Sequence, residues 1–304
     1  MGPTASGKTR LAVELARRLP LDIISVDSAM VYRGMDIGTG KPDKETQRRA
    51  PHRLIDIRDP ETAYSADDFR RDALDAIGRA REENKIPFLV GGTGLYFRAL
   101  RDGLSALPSA DAGARAQLAA EALEHGWEAL HRRLAGVDAE SAARIHANDA
   151  QRIQRALEIF QLTGQPMSRL ISGEKPAALP NPVHTLIIEP TDRGRLHADI
   201  AARFHAMLQA GLVEEVKNLQ RRRSLSADLP AMRAVGYRQI GDYLDGRCSY
   251  EQMVEAGIAA TRQLARRQLT WLRGERHGAR FDCHAAELVE DVVTTLDSAL
   301  TGKS

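Results

Sequence analysis

The first residues that could do chemistry are Gly2-Pro3-Thr4-Ala5-Ser6-Gly7-Lys8-Thr9, which fit G-x-x-x-x-G-K-[ST]. Glycines at both ends let the backbone curl so that successive N–H groups converge on phosphate oxygens. The following helix adds its N-terminal dipole, Lys8 a point charge, and Thr9 a hydroxyl suited to Mg²⁺. A pyrophosphate or triphosphate ligand is expected there. Only Met1 precedes Gly2. Such loops normally follow a strand, so the chain as written is expected to be less stable, and less active, than one extended upstream by a strand.

The second candidate is Asp27, at the end of the strand predicted over Asp22–Val26. Ligands gather at the carboxyl ends of parallel strands, where a carboxylate can take a proton from an acceptor nucleophile. The plainer alternative is an Asp that caps the next turn through Ser28. A hydrolytic engine is disfavoured, because Phe88-Leu89-Val90 ends in Gly91-Gly92-Thr93-Gly94 without an acid. Asp56, inside a second short strand predicted over Leu54–Ile57, is a weak substitute.

The elements that must hold these residues follow from periodicity. Leu11, Leu15 and Leu19 give one apolar face to a helix over Lys8–Leu19. Ser65 and Asp68 resemble a capping box opening a helix to about Glu83, and Ile86–Val90 is a third strand. This alternation predicts an α/β fold of the P-loop NTPase type, a parallel sheet with helices on both faces. From about Ser109 to Leu170 the text is helical throughout, an expected insertion. Gly173–Pro182 reads as a linker and Val183–Ile188 as a strand. Long helices are predicted over Asp192–Arg222 and Ser249–Arg276, then a strand over Ala279–Cys283 and a terminal helix. The expected division is a first core part over 1–108, a helical insertion over 109–171 and a second core part over 172–304.

Composition narrows the class. The chain has 304 residues, 43% hydrophobic and 28% charged, with 43 Lys and Arg against 41 Asp and Glu. That is ordinary for a globular protein and gives no bulk-charge argument for a partner. No apolar run approaches the ~18–20 residues of a membrane span, and no signal peptide is visible. Cys248 and Cys283 stand apart without C-x-x-C, so a reducing cytoplasm is the expected compartment. The nine histidines form no zinc signature. Between Thr191 and Phe281 there are 16 Lys and Arg against 10 Asp and Glu. Arg262, Arg266, Arg273 and Arg276 fall within ~80° on one helix, with Glu251 and Glu255 sharing the stripe.

Beyond these local patterns, the sequence resembles the tRNA dimethylallyltransferases (tRNA isopentenyltransferases). The resemblance is carried by the loop above, Ser25-Val26-Asp27-Ser28-Ala29-Met30-Val31-Tyr32, and Gly34-Met35-Asp36-Ile37-Gly38-Thr39. It continues through Pro51–Asp56, Val90–Tyr96 and Asp149-Ala150-Gln151-Arg152-Ile153-Gln154-Arg155-Ala156-Leu157. It closes with Arg233-Ala234-Val235-Gly236-Tyr237-Arg238-Gln239 and Thr261–Gln268.

The resemblance implies transfer of a dimethylallyl group from its diphosphate to N6 of adenosine 37, beside the tRNA anticodon. The loop would hold the donor's pyrophosphate, with Mg²⁺ on Thr9 and Lys8 stabilising the leaving charge. Asp27 would hold N6 and accept its proton, and Thr93 would lie beside the leaving oxygen. Residues matching Asp27, Ser28, Ala29 and Met30, then Thr93 and Arg115, would face the anticodon stem-loop. So would Gln151 to Arg155 (Gln151, Arg152, Ile153, Gln154, Arg155) and Arg233 to Arg238 (Arg233, Ala234, Val235, Gly236, Tyr237, Arg238). A monomer is expected. The main alternative is a P-loop kinase in which Asp27 activates a small molecule's hydroxyl. A non-enzymatic RNA-binding module is the third reading, and it leaves Lys8, Thr9 and Asp27 without a role.

Overall fold

The computed structural model describes residues 1–105, 107–173, 179, 183–222 and 224–301. It divides into two units, Met1–Leu100 with Asn181–Ser304, and Arg101–Pro180. The sequence expectation drew the inserted segment more narrowly, over 109–171.

In the first unit, helix α1 (Lys8–Ala16) leads to strand β1 (Leu21–Val26), then α2 (Lys44–Arg49), β2 (His52–Arg53), α3 (Ala66–Glu82) and β3 (Ile86–Gly91). The strands form one parallel sheet in the order β2-β1-β3, with Leu21 opposite Ile86 and Val26 opposite Gly91. β1 is buried along nearly its whole length, the pattern of a central parallel strand covered on both faces. The capping box opening α3 is formed: Ser65 Oγ accepts from Asp68 N–H, and the Asp68 carboxylate accepts from Ser65 N–H.

The strand predicted over Leu54–Ile57 is not formed. Leu54 and Asp56 take left-handed φ angles of 63° and 56°, which no extended strand tolerates. Asp56 instead turns its carboxylate onto Lys41 Nζ at 2.6 Å.

Helix α4 (Gly94–Asp102) runs to the second unit, whose helices are α5 (Ala112–His125), α6 (Trp127–Val137), α7 (Ala139–Arg144), α8 (Ala150–Thr163) and α9 (Met167–Ser172). Its core joins Leu118, Leu130, Leu134, Ile153 and Leu157. The linker expected over Gly173–Pro182 falls largely outside the described residues.

The first unit resumes with β4 (Leu186–Glu189), α10 (Arg193–Gln209), α11 (Leu212–Gln220), α12 (Tyr237–Leu244), α13 (Tyr250–Arg273), β5 (Ala279–Asp282) and α14 (Leu288–Thr301). β4 and β5 pair in parallel as a second sheet. Met1 and Gly2 lie between the sheets: Ile188 N–H donates to Met1 O at 2.8 Å, and Gly2 N–H to Gly91 O at 3.2 Å. The single helix predicted over Asp192–Arg222 is two helices, because Gly211 at φ 99° ends the first and opens the second. Among the described residues no helix is long and apolar enough to cross a membrane.

Candidate active site

The loop before α1 is tightly curled, with Ala5 at φ 63° and Gly7 at φ 72° on either side of Ser6. The N–H groups of Ala5 and Gly7 have no hydrogen-bond partner among the described residues, whereas those of Gly2, Thr4 and Ser6 are bonded within the protein. Gly7 is there for its backbone, since a Cβ would touch nothing within 4 Å but would be strained at that φ. Ser6 Oγ and Lys8 Nζ both donate to Pro3 O, at 2.9 and 3.1 Å, which ties the curl together. Gln268 of α13 clamps it from outside. Its Oε1 accepts from Thr4 N–H at 2.8 Å and its Nε2 donates to Gly92 O at 3.1 Å.

A cavity of about 130 Å³ opens against this loop. Its polar lining includes Lys8, Thr9, Asp27, Thr39 and Arg203, and its apolar lining includes Ile200, Phe204, Val235 and Leu264. Burial lowers the Lys8 ammonium to a pKa of about 8; the Asp27 carboxylate works against that fall and the Arg203 guanidinium adds to it. Burial likewise lowers Arg203, again opposed by Asp27. Two cations face one carboxylate in a sheltered space, so the site is short of negative charge. A bound anion would supply it.

Asp27 fills the plainer of the two roles expected of it, the cap of the turn that follows β1. Oδ1 accepts from Ala29 N–H at 2.8 Å and Met30 N–H at 3.2 Å, capping the turn after β1. Oδ2 has no hydrogen-bond partner among the described residues, and Asp27 lines the cavity. Its fixed orientation is what a proton acceptor needs. Thr93 is drawn towards the same turn: its Oγ1 accepts from Ser28 N–H at 3.3 Å, and its N–H donates to Val26 O. Ala29, Met30, Ala234, Val235, Gly236 and Tyr237 line the cavity, whereas Ser28, Arg233 and Arg238 are exposed.

Tyr237 is fully buried, and its hydroxyl donates to Glu215 Oε1 at 2.6 Å. Glu215 also accepts from the N–H groups of Asp36, Ile37 and Gly38, so one carboxylate fixes both the 36–38 loop and the start of α12.

In the second unit, Arg115 and Arg155 both donate to Glu158, which is fully buried. Burial alone would raise Glu158, but Arg155, Arg115 and the Asp111 N–H together hold its carboxyl below the usual range. Gln151 and Arg152 are exposed, and Gln154 Nε2 donates to Arg115 O. Ile153 corrects the expectation that the whole Gln151–Arg155 run faces RNA. It is 0% exposed in the core of that unit, so its side chain packs and does not touch tRNA.

Sequence reasoning gives no role to Arg203, Phe204, Glu215 or Gln268. A signal exists for the first two. Ile200, Arg203, Phe204 and Met207 recur at i, i+3, i+4 and i+7, which places an Arg within an apolar helix stripe. The exposed arginines Arg262, Arg266, Arg273 and Arg276 do lie on or just beyond α13, away from its buried Met253, Ala265 and Leu272.

Known proteins resemble this chain over most of its length. The model of the IPP transferase family matches residues 30–275. A tRNA dimethylallyltransferase of Halorhodospira halophila is 57% identical over 281 residues, covering 92% of this chain and 91% of that relative. The crystal structure of the tRNA isopentenylpyrophosphate transferase of Bacillus halodurans superposes with a TM-score of 0.72 at 36% identity, covering 99% of this chain and 95% of that one. A eukaryotic dimethylallyltransferase captured acting on tRNA has the same fold, with a TM-score of 0.80 at 21% identity, over 100% of this chain and 79% of that one. With an anion cradle, a sheltered carboxylate and an apolar wall in one cavity, and a family match over most of its length, the chain belongs to the IPP transferase family of tRNA-prenylating enzymes.

Proposed function

We propose that the protein transfers a dimethylallyl group from dimethylallyl diphosphate to N6 of adenosine 37 in tRNA, on a P-loop NTPase-like core carrying a helical insertion. The observation that carries the donor's identity is the composition of the cavity. Lys8, Arg203 and the loop suit a diphosphate, while Ile200, Phe204 and Leu264 offer an apolar wall to a short hydrocarbon. A kinase's small hydroxylated substrate has no use for that wall, and the family match does not favour a kinase.

The chain's own residues divide the work. Loop N–H groups, Lys8 and Arg203 bind the diphosphate and stabilise the charge it gains as its bond to the allylic carbon breaks. Thr93 is assigned to the leaving oxygen. Asp27 orients the amine of the flipped-out adenine and takes one N6 proton as the nitrogen–carbon bond forms. Thr9 suits Mg²⁺, an ion held by few protein groups together with substrate phosphates and water, and one hydroxyl beside the loop matches that demand. When bound, the ion would neutralise diphosphate charge. Ser28, Ala29, Met30, Arg233, Ala234, Val235, Gly236 and Arg238 and, from the second unit, Arg115, Gln151, Arg152, Gln154 and Arg155 are assigned to the tRNA, whereas Tyr237, fully buried with its hydroxyl on Glu215, is not. The enzyme acts as a monomer in the cytoplasm. Digestion of treated tRNA to nucleosides and mass spectrometry tests this: one adenosine gains a C5H8 unit, and an unmodified digest refutes it.

A further inference from the structure

One ring closes the apolar side of the cavity. Phe204 lies on the face of α10 that also carries Arg203, and it is 4% exposed. Glycines on two other elements back the ring. A Cβ on Gly257 of α13 would lie 2.7 Å from Phe204 Cε1 and 2.8 Å from Cε2, nearer than real Cβ atoms approach. A Cβ on Gly236, the residue before α12, would stand 3.8 Å from Cε2. The ring therefore occupies space that Gly257 leaves free, and it cannot retreat without meeting backbone. A wall seated in this way yields little to a ligand.

The geometry points to Phe204 as the residue that limits the transferred group to five carbons, its ring forming the floor that a longer isoprenoid chain would strike. This rests on the prenyl-transfer function proposed above and goes on to what sets the donor's length. The cavity is about 130 Å³, and Lys8, Thr9 and Arg203 line it as well as Phe204, so the donor's diphosphate and its hydrocarbon share one small space in which a second isoprenoid unit has no room. Replacing Phe204 by Ala removes six carbons, enough for the five that the next isoprenoid unit adds.

The test is transfer to unmodified tRNA from dimethylallyl diphosphate or geranyl diphosphate, by the native protein, Phe204→Ala and Phe204→Leu, with melting temperatures taken alongside. The native protein is expected to use the five-carbon donor and refuse the ten-carbon one. In Phe204→Ala the ratio of kcat/KM for geranyl over dimethylallyl donor should rise about 100-fold, and Phe204→Leu should fall between. If Phe204→Ala does not fold, the Leu variant decides. An unchanged ratio in a folded variant, or a native protein that uses both donors equally, overturns the floor assignment. Failure of the native protein to transfer from either donor instead overturns the proposed function itself.

Discussion

Lys8 gives the sharpest prediction about the free site. Its ammonium sits near pKa 8, lowered from 10.5 first by burial, with Asp27 opposing and Arg203 adding to the fall. A bound diphosphate places negative charge beside it and returns its proton affinity to the ordinary range or above. Between about pH 8 and 10.5, donor binding must therefore take up a proton, and affinity falls about tenfold per pH unit. From pH 7 to 9, Lys8 in the free protein goes from about nine-tenths to about one-tenth protonated, so Kd rises about tenfold, ~1.4 kcal/mol. Arg203 stays charged throughout. The donor's own last ionisation, near pH 6, is complete before this window. Stability of the free protein moves the other way. The unfolded chain keeps this proton to about 10.5 and the folded one releases it near 8, so this group's contribution rises with pH between those values. Calorimetric titration with an unreactive thio-analogue of the donor, in buffers of differing ionisation enthalpy, measures both affinity and protons taken up. A flat affinity from pH 7 to 9 without proton uptake would refute the reasoning, as would the same slope in Lys8→Met.

Three further outcomes follow from contacts. Asp27→Asn keeps an acceptor for the Ala29 and Met30 N–H groups but loses the charge. Single-turnover transfer should slow by about 10²–10⁴-fold with donor Kd nearly unchanged, and a collapse of donor binding would make Asp27 structural. Glu215→Gln replaces an acceptor serving three backbone N–H groups and the Tyr237 hydroxyl, and should cost about 2–3 kcal/mol in urea unfolding, a loss that a neutral result contradicts. Arg155→Met leaves the fully buried Glu158 with one fewer partner, so the chain should lose about 3 kcal/mol. Because Glu158's carboxyl is held low when paired, native stability from it is present above the ordinary carboxylate range and fades as pH falls through it. The variant's stability should depend on acid less steeply, as pH-dependent melts will report.

What could be read in the sequence was whatever depends on neighbours along the chain. The loop, the Ser65–Asp68 cap and the strands β1 and β3 are local patterns, and each formed within a residue or two of its expected place. Two misreadings have physical causes. The Leu54–Ile57 run is apolar enough for a strand, but Lys41 draws Asp56 into a left-handed turn, and a contact from fifteen residues away leaves no local trace. The break at Gly211 hides inside a continuous apolar period, where a single glycine is ordinarily tolerated. The site was half legible for the same reason. Lys8 and Asp27 announce themselves by motif and by position at a strand end. Glu215 and Gln268 acquire their roles only through partners far away in sequence, such as Thr4, which lies 264 residues from Gln268.

The central claim is that the loop holds a prenyl diphosphate for transfer to tRNA. The most direct measurement offers the protein unmodified tRNA together with dimethylallyl diphosphate labelled in its carbon chain and ATP labelled in its γ-phosphate, then follows both labels. The account predicts that carbon label enters tRNA at one adenosine, diphosphate appears in equal amount, and the γ-label stays on ATP. Loss of γ-label from ATP to any acceptor, with the tRNA left free of carbon label, would contradict it.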